Sequence, residues 1–228
     1  MLERGAVRLQ LALVAAMLLG GVAGIAMLPS DARVPIHFNA GGEVDGWAGA
    51  SFGLLLMPAT AVLVILLQHA LPHIEPRQRN LLASHRAYTV TFVAITLLLA
   101  VLQAYIVAVA LGWSHPLARL PMGLVGGLLV VVGNMFGKVR PNYSFGIRTP
   151  WTLADDDVWE RTHRFGGKAF VLAGGVLLLL SFSPLPAVWQ APAILMATLG
   201  AALAAVAKSY LLWRRLRPKG GKVEGSRE

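Results

Sequence analysis

The chain has 228 residues, of which 56% are hydrophobic and 14% are charged. A soluble domain usually carries about a quarter charged residues, so this composition favours a membrane protein. The sequence contains no cysteine, which excludes disulfides, thiol catalysis and cysteine-based metal sites. The formal net charge of +9 would suit nucleic acid binding, but the basic residues follow the apolar segments instead.

Six apolar runs divide the chain. A bilayer core about 30 Å thick requires roughly 20 apolar residues in a helix. The runs lie near residues 6–28, 51–71, 88–111, 120–136, 168–182 and 191–213. The fifth is the weakest, at about 15 residues, and it would lengthen if the polar stretch before it were also helical. The sequence therefore predicts an all-α polytopic membrane protein with six transmembrane helices.

The basic residues predict the orientation of these helices. If the N-terminus is cytoplasmic, only Arg33 and Arg119 among all Lys and Arg residues fall outside. Cytoplasmic loops carry an excess of Lys and Arg, so both termini are predicted to be cytoplasmic. The first run is longer than the apolar core of a signal peptide and five runs follow it, so we expect it to remain as a span.

A basic tail follows the sixth run. Each of its charges could contribute about 1 kcal/mol of attraction to anionic lipid headgroups. No aromatic side chains alternate with them to stack on bases, so we expect no direct contact with nucleic acid. The basic residues of the tail are Arg214, Arg215, Arg217, Lys219 and Lys222.

The centres of the spans lack ionisable residues, which disfavours a transporter or proton relay. Gln103 is the strongly polar residue at mid-span, and we predict that it forms an interhelical hydrogen bond. Small residues in GLVGG (123–127) and AGG (173–175) predict close helix packing. His69 and His73 have the spacing of a helical metal pair, but a third ligand is not evident, so structural or surface roles are favoured.

The loop between the first two runs is rich in turn-forming residues, and VPIHF within it predicts a short extended piece. Two interpretations of this loop stay open. His37, Glu43 and Asp45 could bind a cation or an incoming peptide. Alternatively, its Asp, Asn and Gly residues only form turns, and Trp47 is an anchor at the headgroup level. The candidate binding residues on this side are His37, Asn39, Asp45 and Trp47.

The loop between the fourth and fifth runs, Gly133 to Lys168, carries most of the polar and aromatic residues. Thr152, with Asp155 three residues later, predicts a helix start, and Asp155 to Asp157 complement the positive end of its dipole. A cation site is the less favoured alternative for these acids. Val158, Trp159, Thr162, His163 and Phe165 share one face, which predicts an amphipathic helix at the cytoplasmic interface before the fifth span.

Helix capping leaves other residues of this loop unexplained. Arg148 could clamp an anionic group or pair with the acids, or it could be an orientation signal. We interpret the segment as a cytoplasmic binding face and not as a reaction centre. The residues predicted for this face are Asn142, Arg148, Trp151, Trp159 and His163.

Two motifs resemble a known family. The inner loop, with NYSFGIRTPWT and WERTHRFGGK, resembles the signature of the SdpI family of bacterial membrane proteins. The outer segment VPIHFNAGGEVDGW resembles DUF1648, a small domain of unknown function that often precedes that signature. The matching inner positions are Asn134, Arg140, Pro141, Asn142, Gly146, Ile147, Arg148, Thr149, Pro150, Trp151, Thr152, Trp159, Thr162, His163 and Gly167. The matching outer positions are Pro35, His37, Asn39, Gly42, Asp45, Gly46 and Trp47.

The resemblance implies a multi-pass protein of the bacterial cytoplasmic (inner) membrane with no assigned reaction and no cofactor. Family members are thought to neutralise a toxin at the membrane, and one also signals by holding a transcriptional repressor there. The leading hypothesis is therefore an immunity or signalling protein. It would meet a toxic peptide or envelope stress outside and a transcriptional regulator inside.

Two alternatives remain. A membrane enzyme acting on lipid or peptide would use His163, Arg148 and the acids at Asp155 to Asp157, whereas a small-solute or lipid transporter is less favoured. We expect three regions in the chain. These are the first two spans with the DUF1648-like loop (1–72), the remaining spans (73–213) with the SdpI-like signature at 133–170, and the basic tail (214–228).

Overall fold

The computed structural model describes residues 4–39, 44–113, 119–184 and 186–216. Five of its helices are long and apolar enough to cross a membrane, and a sixth apolar helix has 17 residues. The prediction of an all-α polytopic membrane protein is thereby confirmed, with one small β-hairpin added. The elements are α1 (Arg4–Met27), β1 (Arg33–Phe38), β2 (Val44–Gly49), α2 (Ala50–Ile74), α3 (Gln78–Ala83), α4 (His85–Ala110), α5 (Leu120–Phe136), α6 (Pro150–Ala154), α7 (Asp156–Ser181) and α8 (Gln190–Leu216).

Helix α7 joins the weak fifth run to the polar segment before it. The helix is continuous over 26 residues, so the short apolar run lies within a helix long enough to span. The predicted amphipathic helix is present as the first turns of α7. It is not a separate interfacial element, however, because most of the predicted face is covered by protein: Val158, Trp159 and His163 are each at most 1% exposed, and only Phe165 of this face is exposed.

Helices α1, α2 and α4 form one bundle. Val14 and Met17 of α1 pack with Ala61 and Ile65 of α2, and Leu99 of α4 covers them. Burial of such apolar side chains orients the helices but leaves most of their outer surface for lipid. The division of the chain at residue 72 stays a prediction, and α4, which follows it, packs on the two helices that precede it.

Helices α5 and α7 approach each other through paired glycines. A Cβ atom added to Gly133 would lie 2.7 Å from the carbonyl oxygen of Gly167, and one added to Gly174 would lie 2.5 Å from that of Gly126. Each helix repeats its glycine after seven residues, so both pairs lie on one seam. The prediction that the small residues serve close packing is confirmed at Gly126 and Gly174, and the structure adds the pair Gly133 and Gly167.

Two buried polar contacts tie the first bundle together inside the spans. The amide of Gln103 donates to the carbonyl oxygen of Leu54 at 2.8 Å, which confirms the predicted interhelical bond. The amide of Gln10 donates to Gln68 Oε1 at 2.8 Å and to Thr96 Oγ1 at 3.1 Å. These contacts were not predicted, because they join residues that lie 58 and 86 positions apart in the sequence.

The two ends of the molecule differ in character. At one end, here called the hairpin end, Val34 of β1 packs with Leu54 of α2 under the hairpin. At the other, here called the loop end, α1 begins, α2 and α8 end, and the segment 137–149 folds over the helix termini. This segment is called the signature loop below. Which side of the membrane each end faces stays a prediction.

Candidate functional site at the loop end

The first turn of the signature loop forms around Asn142. Its side-chain oxygen accepts from the backbone N–H groups of Ser144 at 3.0 Å and Phe145 at 2.7 Å, and its amide donates to the carbonyl of Arg140 at 2.8 Å. Asn142 is completely buried. Such a side chain replaces the hydrogen bonds of a backbone turn, so Asn142 shapes the loop and does not present a free amide to a partner.

The second turn brings Gly146 onto the rings of Trp159 and His163. Gly146 has a φ of +118°, a conformation that favours glycine, and a Cβ atom there would lie 2.5 Å from His163 Nε2. The two rings stack with their centroids 4.1 Å apart. The loop therefore needs a glycine here for both conformation and space.

Both ring nitrogens of His163 bond to backbone groups. The N–H of Ile147 donates to Nε2 at 2.9 Å, and Nδ1 lies 2.9 Å from the carbonyl oxygen of Trp159. Because a carbonyl only accepts and an N–H only donates, the proton is on Nδ1 and the ring is neutral. His163 thus fastens the signature loop to α7.

Trp159 is the main anchor beneath the loop. Its indole N–H donates to the carbonyl oxygen of Val139 at 2.8 Å, and the ring is 1% exposed. Val139 and Ala87 pack against it in one buried cluster. The side chain therefore holds the first residues of the loop against α4 and α7.

The predicted cap pairing Thr152 with Asp155 is wrong, because two helices begin in this stretch. Thr149 caps α6, and it exchanges hydrogen bonds with Thr152: the Thr152 N–H donates to Thr149 Oγ1 at 3.1 Å and the Thr149 N–H donates to Thr152 Oγ1 at 2.9 Å. Asp155 leaves helical geometry and caps α7, accepting from the Val158 N–H at 2.9 Å. Asp156 and Asp157 occupy the first turn of α7, where their charges complement the helix dipole.

The end of α8 is attached to the same loop. The Thr149 hydroxyl donates to Ser209 Oγ at 3.0 Å, and the rings of Trp151 and Tyr210 lie 5.0 Å apart. Trp151 is half-buried in this contact. Arg148 is exposed and donates to the carbonyl oxygen of Tyr143 at 2.5 Å, so its described bond is to the loop and not to the acids.

Glu75 is a central residue that sequence reasoning missed. It follows α2 directly, and its carboxylate accepts from the N–H of Tyr143 at 3.0 Å, from the N–H of Arg77 at 2.9 Å and from the Ser144 hydroxyl. Burial by itself raises the pKa of this carboxyl, but the Ser144 hydroxyl and the backbone N–H donors outweigh it, so the pKa lies below its usual value. The sequence did contain an indication of its importance, since Glu75 is the sole acidic residue between Asp45 and Asp155.

The rest of the linker between α2 and α4 also contacts the signature loop. The Asn80 amide donates to the carbonyl of Pro141 at 2.8 Å, and the Arg140 N–H donates to Ser84 Oγ at 2.8 Å. Arg77 forms an ion pair with Asp156 at 3.1 Å. Residues 75–84, from the N-terminal half of the chain, therefore support a loop from the C-terminal half.

A polar cleft of about 490 Å³ lies between the first residues of the signature loop and the first turns of α7. Trp159 and His163 contribute to its lining, whereas Arg148 and Trp151 do not. Charges of both signs surround it, from Lys138, Arg140, Arg164, Asp156, Asp157 and Glu160. The five residues predicted as one binding face thus have different positions: Asn142, Trp159 and His163 are buried in the framework, and Arg148 and Trp151 lie outside the cleft.

At the hairpin end, the structure brings two predicted residues together. His37 Nδ1 lies 2.5 Å from Asp45 Oδ1, with both side chains largely exposed. Trp47 lies on the same outward face of β2 as Asp45 and is 50% exposed. Arg33 steadies it by donating to its carbonyl oxygen at 3.0 Å. Asn39 follows β1 directly, and the predicted residues Gly42 and Glu43 are outside the described part of the chain.

Comparison with known proteins matches both motifs. Residues 138–210 match the SdpI/YfhL protein family, and residues 12–62 match DUF1648, a domain of unknown function. The immunity protein SdpI of Bacillus subtilis (strain 168) is 38% identical over 87 residues, which are 38% of this chain and 42% of that relative. The chain thus aligns with less than half of the length of this relative.

No solved structure matches the chain. Gly146, the helix caps at Thr149 and Asp155, and the buried Trp159 and His163 all lie inside the matched inner region. The resemblance inferred from the two motifs is confirmed. Residues 138–210 are thus similar to the SdpI/YfhL protein family, and residues 12–62 are similar to DUF1648.

Proposed function

We propose that this chain is an immunity protein of the bacterial cytoplasmic membrane, which protects its cell from a toxic peptide arriving at the hairpin end. The proposal is supported by the shared family and by the name of the B. subtilis relative, an immunity protein. The structural observation that carries it is the outward face of the hairpin, where His37, Asp45 and Trp47 are exposed together.

This face suits a peptide that is both charged and apolar. Trp47 offers a large apolar ring, and the Asp45 carboxylate offers an acceptor for Lys or Arg side chains. Val34 is completely buried beneath the hairpin, and a Cβ atom on Gly53 of α2 would lie 2.2 Å from a Val34 methyl. The hairpin is therefore seated on the bundle, which lowers the entropy cost of presenting these side chains.

We further propose that the polar cleft at the loop end receives a cytoplasmic transcriptional regulator. Its rim of three basic and three acidic side chains can pair with a protein surface of mixed charge. Helix α2 connects the two ends: it begins at Ala50 next to the hairpin and ends at Ile74 next to Glu75, which binds the signature loop. A peptide that displaces the hairpin would act on the cleft through this helix.

The hydrogen bonds of the loop disfavour the enzyme alternative. A general base needs a free lone pair near its substrate, and Nε2 of His163 already accepts from Ile147. Asp155 caps a helix and Asp156 pairs with Arg77. His163, Asp155 and Asp156, which that alternative assigns to catalysis, therefore have structural partners.

The test is survival. A strain with the gene deleted is compared with its parent and with the deletion strain complemented by the full chain, each challenged with secreted peptides from bacteria that share its habitat. We expect the deletion to sensitise cells to at least one peptide and complementation to restore survival. Equal survival of all three strains across the peptides would contradict the immunity function.

A further inference from the structure

A second cavity lies at the loop end, apart from the polar cleft. It has a volume of about 540 Å³, is open on one side and is lined by residues of α1, α2, α3 and the start of α4. Its basic and imidazole side chains are Arg4, Arg8, His69, His73 and His85. Among the described residues that line it there is no acid, so no described lining side chain neutralises the positive charge of the arginines.

The cavity has an apolar wall as well as a basic rim. Val7, Pro72 and Leu82 line it, and Leu82 is 42% exposed at its mouth. The site therefore suits a molecule with an anionic group joined to a hydrocarbon part, and it suits a small free anion less well. A phospholipid with a net negative charge has this chemistry, and the helix termini place the site at headgroup depth.

A buried donor provides independent support for a ligand. Gln68 lines the cavity and is completely buried, and its Nε2 has no hydrogen-bond partner among the residues that the structure describes. Its side-chain oxygen is held by Gln10 at 2.8 Å, which fixes the direction of the amide. A buried N–H without an acceptor costs about 1–3 kcal/mol, so a ligand oxygen in the cavity would remove that cost.

From these observations we propose that the cavity binds the phosphate-bearing headgroup of an anionic phospholipid. Arg4 and Arg8 bind the phosphate, the Gln68 amide donates to a headgroup or ester oxygen, and an acyl chain lies along Leu82. The site is distinct from the basic tail, and it does not depend on the immunity function.

The proposal is tested with the full chain in detergent by native mass spectrometry. Phosphatidylglycerol and phosphatidylcholine are titrated separately, and bound lipid is counted per protein. We expect tighter retention of phosphatidylglycerol, and a loss of about fivefold in its affinity in Arg8→Gln. Arg79→Gln is the matched control, because it removes the same charge at the same end from an exposed residue that does not line the cavity.

A second variant fills the cavity without changing the charge. Leu82→Trp is expected to abolish the preference for phosphatidylglycerol, whereas Leu66→Trp, on the exposed outer face of α2, keeps it. Equal losses in Arg8→Gln and Arg79→Gln, or an unchanged preference in Leu82→Trp, would overturn the site. Full displacement of the lipid by excess inorganic phosphate would show that the ligand is a free anion and would overturn the assignment to lipid.

Discussion

The carboxylate of Glu75 accepts a hydrogen bond from the backbone N–H of Tyr143 at 3.0 Å, with its second oxygen 3.2 Å from the same nitrogen. This contact joins the end of α2 to the signature loop, across 68 positions of sequence. It connects the segment that matches DUF1648 to the region that matches the SdpI/YfhL family, because α2 leads directly from the hairpin to Glu75.

Glu75→Gln is expected to destabilise the fold. The amide keeps one acceptor oxygen but loses the negative charge, and hydrogen bonds to charged groups contribute about 1.5–3 kcal/mol. We expect a fall in Tm of several degrees, measured by thermal unfolding in detergent. Glu160→Gln is the control, since Glu160 is exposed and pairs only with Arg164 among its described contacts. An equal Tm for Glu75→Gln and the wild type would show that the negative charge of Glu75 does not stabilise the contact between α2 and the signature loop.

The stabilisation by Glu75 is expected to depend on pH. Its pKa is lower in the folded state than the value of about 4.3 in an unfolded chain, so its stabilisation is complete above that value. It is lost as the pH falls through the lower, folded-state pKa. The measurement is the Tm difference between wild type and Glu75→Gln against pH. This Tm difference should be constant near neutral pH and should shrink only at acidic pH. A Tm difference that grew on acidification would contradict the predicted direction.

Gly146→Ala is expected to disrupt the signature loop. Alanine at a φ of +118° stores about 1–3 kcal/mol of backbone strain, and its methyl would also meet the ring of His163. Gly137→Ala in the same loop is the matched control, because its φ is −64° and nothing lies within 4 Å of its Cβ position. Hydrogen exchange of the Ile147 amide should rise in the first variant alone. Equal exchange in the two variants would mean that the positive φ does not hold the loop.

Gly133→Ala is expected to push α5 away from α7. The added methyl would lie 2.7 Å from the Gly167 carbonyl oxygen and 2.8 Å from the Val171 nitrogen, both backbone atoms that cannot rotate aside. Gly127→Ala on the same helix has open space and should cost nothing or stabilise slightly, since alanine favours helix. Thermal unfolding distinguishes the two variants. A Gly133→Ala variant as stable as Gly127→Ala would contradict the close approach of α5 and α7 at Gly133.

Local patterns predicted the helices but not how the loops connect. The six apolar runs, the role of Gln103 and the small residues on α5 and α7 follow from composition within one segment, and the structure confirms them. The Thr152 cap was wrong because the same residues allow a helix start at Thr149 or at Thr152. In the structure Thr149 caps α6 and Asp155 leaves helical geometry and caps α7, and sequence pattern alone does not show that two helices begin here.

The cytoplasmic binding face stays a prediction, and the structural contacts of its residues could not be read from the sequence because they are tertiary. Trp159 and His163 stand out in sequence as a binding or catalytic pair, yet their partners are the backbone groups of Val139 and Ile147. Glu75 escaped notice because its partners lie far away along the chain. Long-range hydrogen bonds of this kind leave no periodic signal in a single sequence.

Survival of cells that carry hairpin variants tests the immunity account most directly. The deletion strain is complemented with wild type, Trp47→Ala or Trp113→Ala at equal membrane abundance and challenged with the peptide that kills the deletion strain. Trp113 is the matched control, because it is 67% exposed beyond the end of α4, outside the hairpin. We predict that Trp47→Ala loses protection while Trp113→Ala keeps it. Full protection by Trp47→Ala would contradict the assignment of the outward hairpin face as the place where the toxic peptide is met.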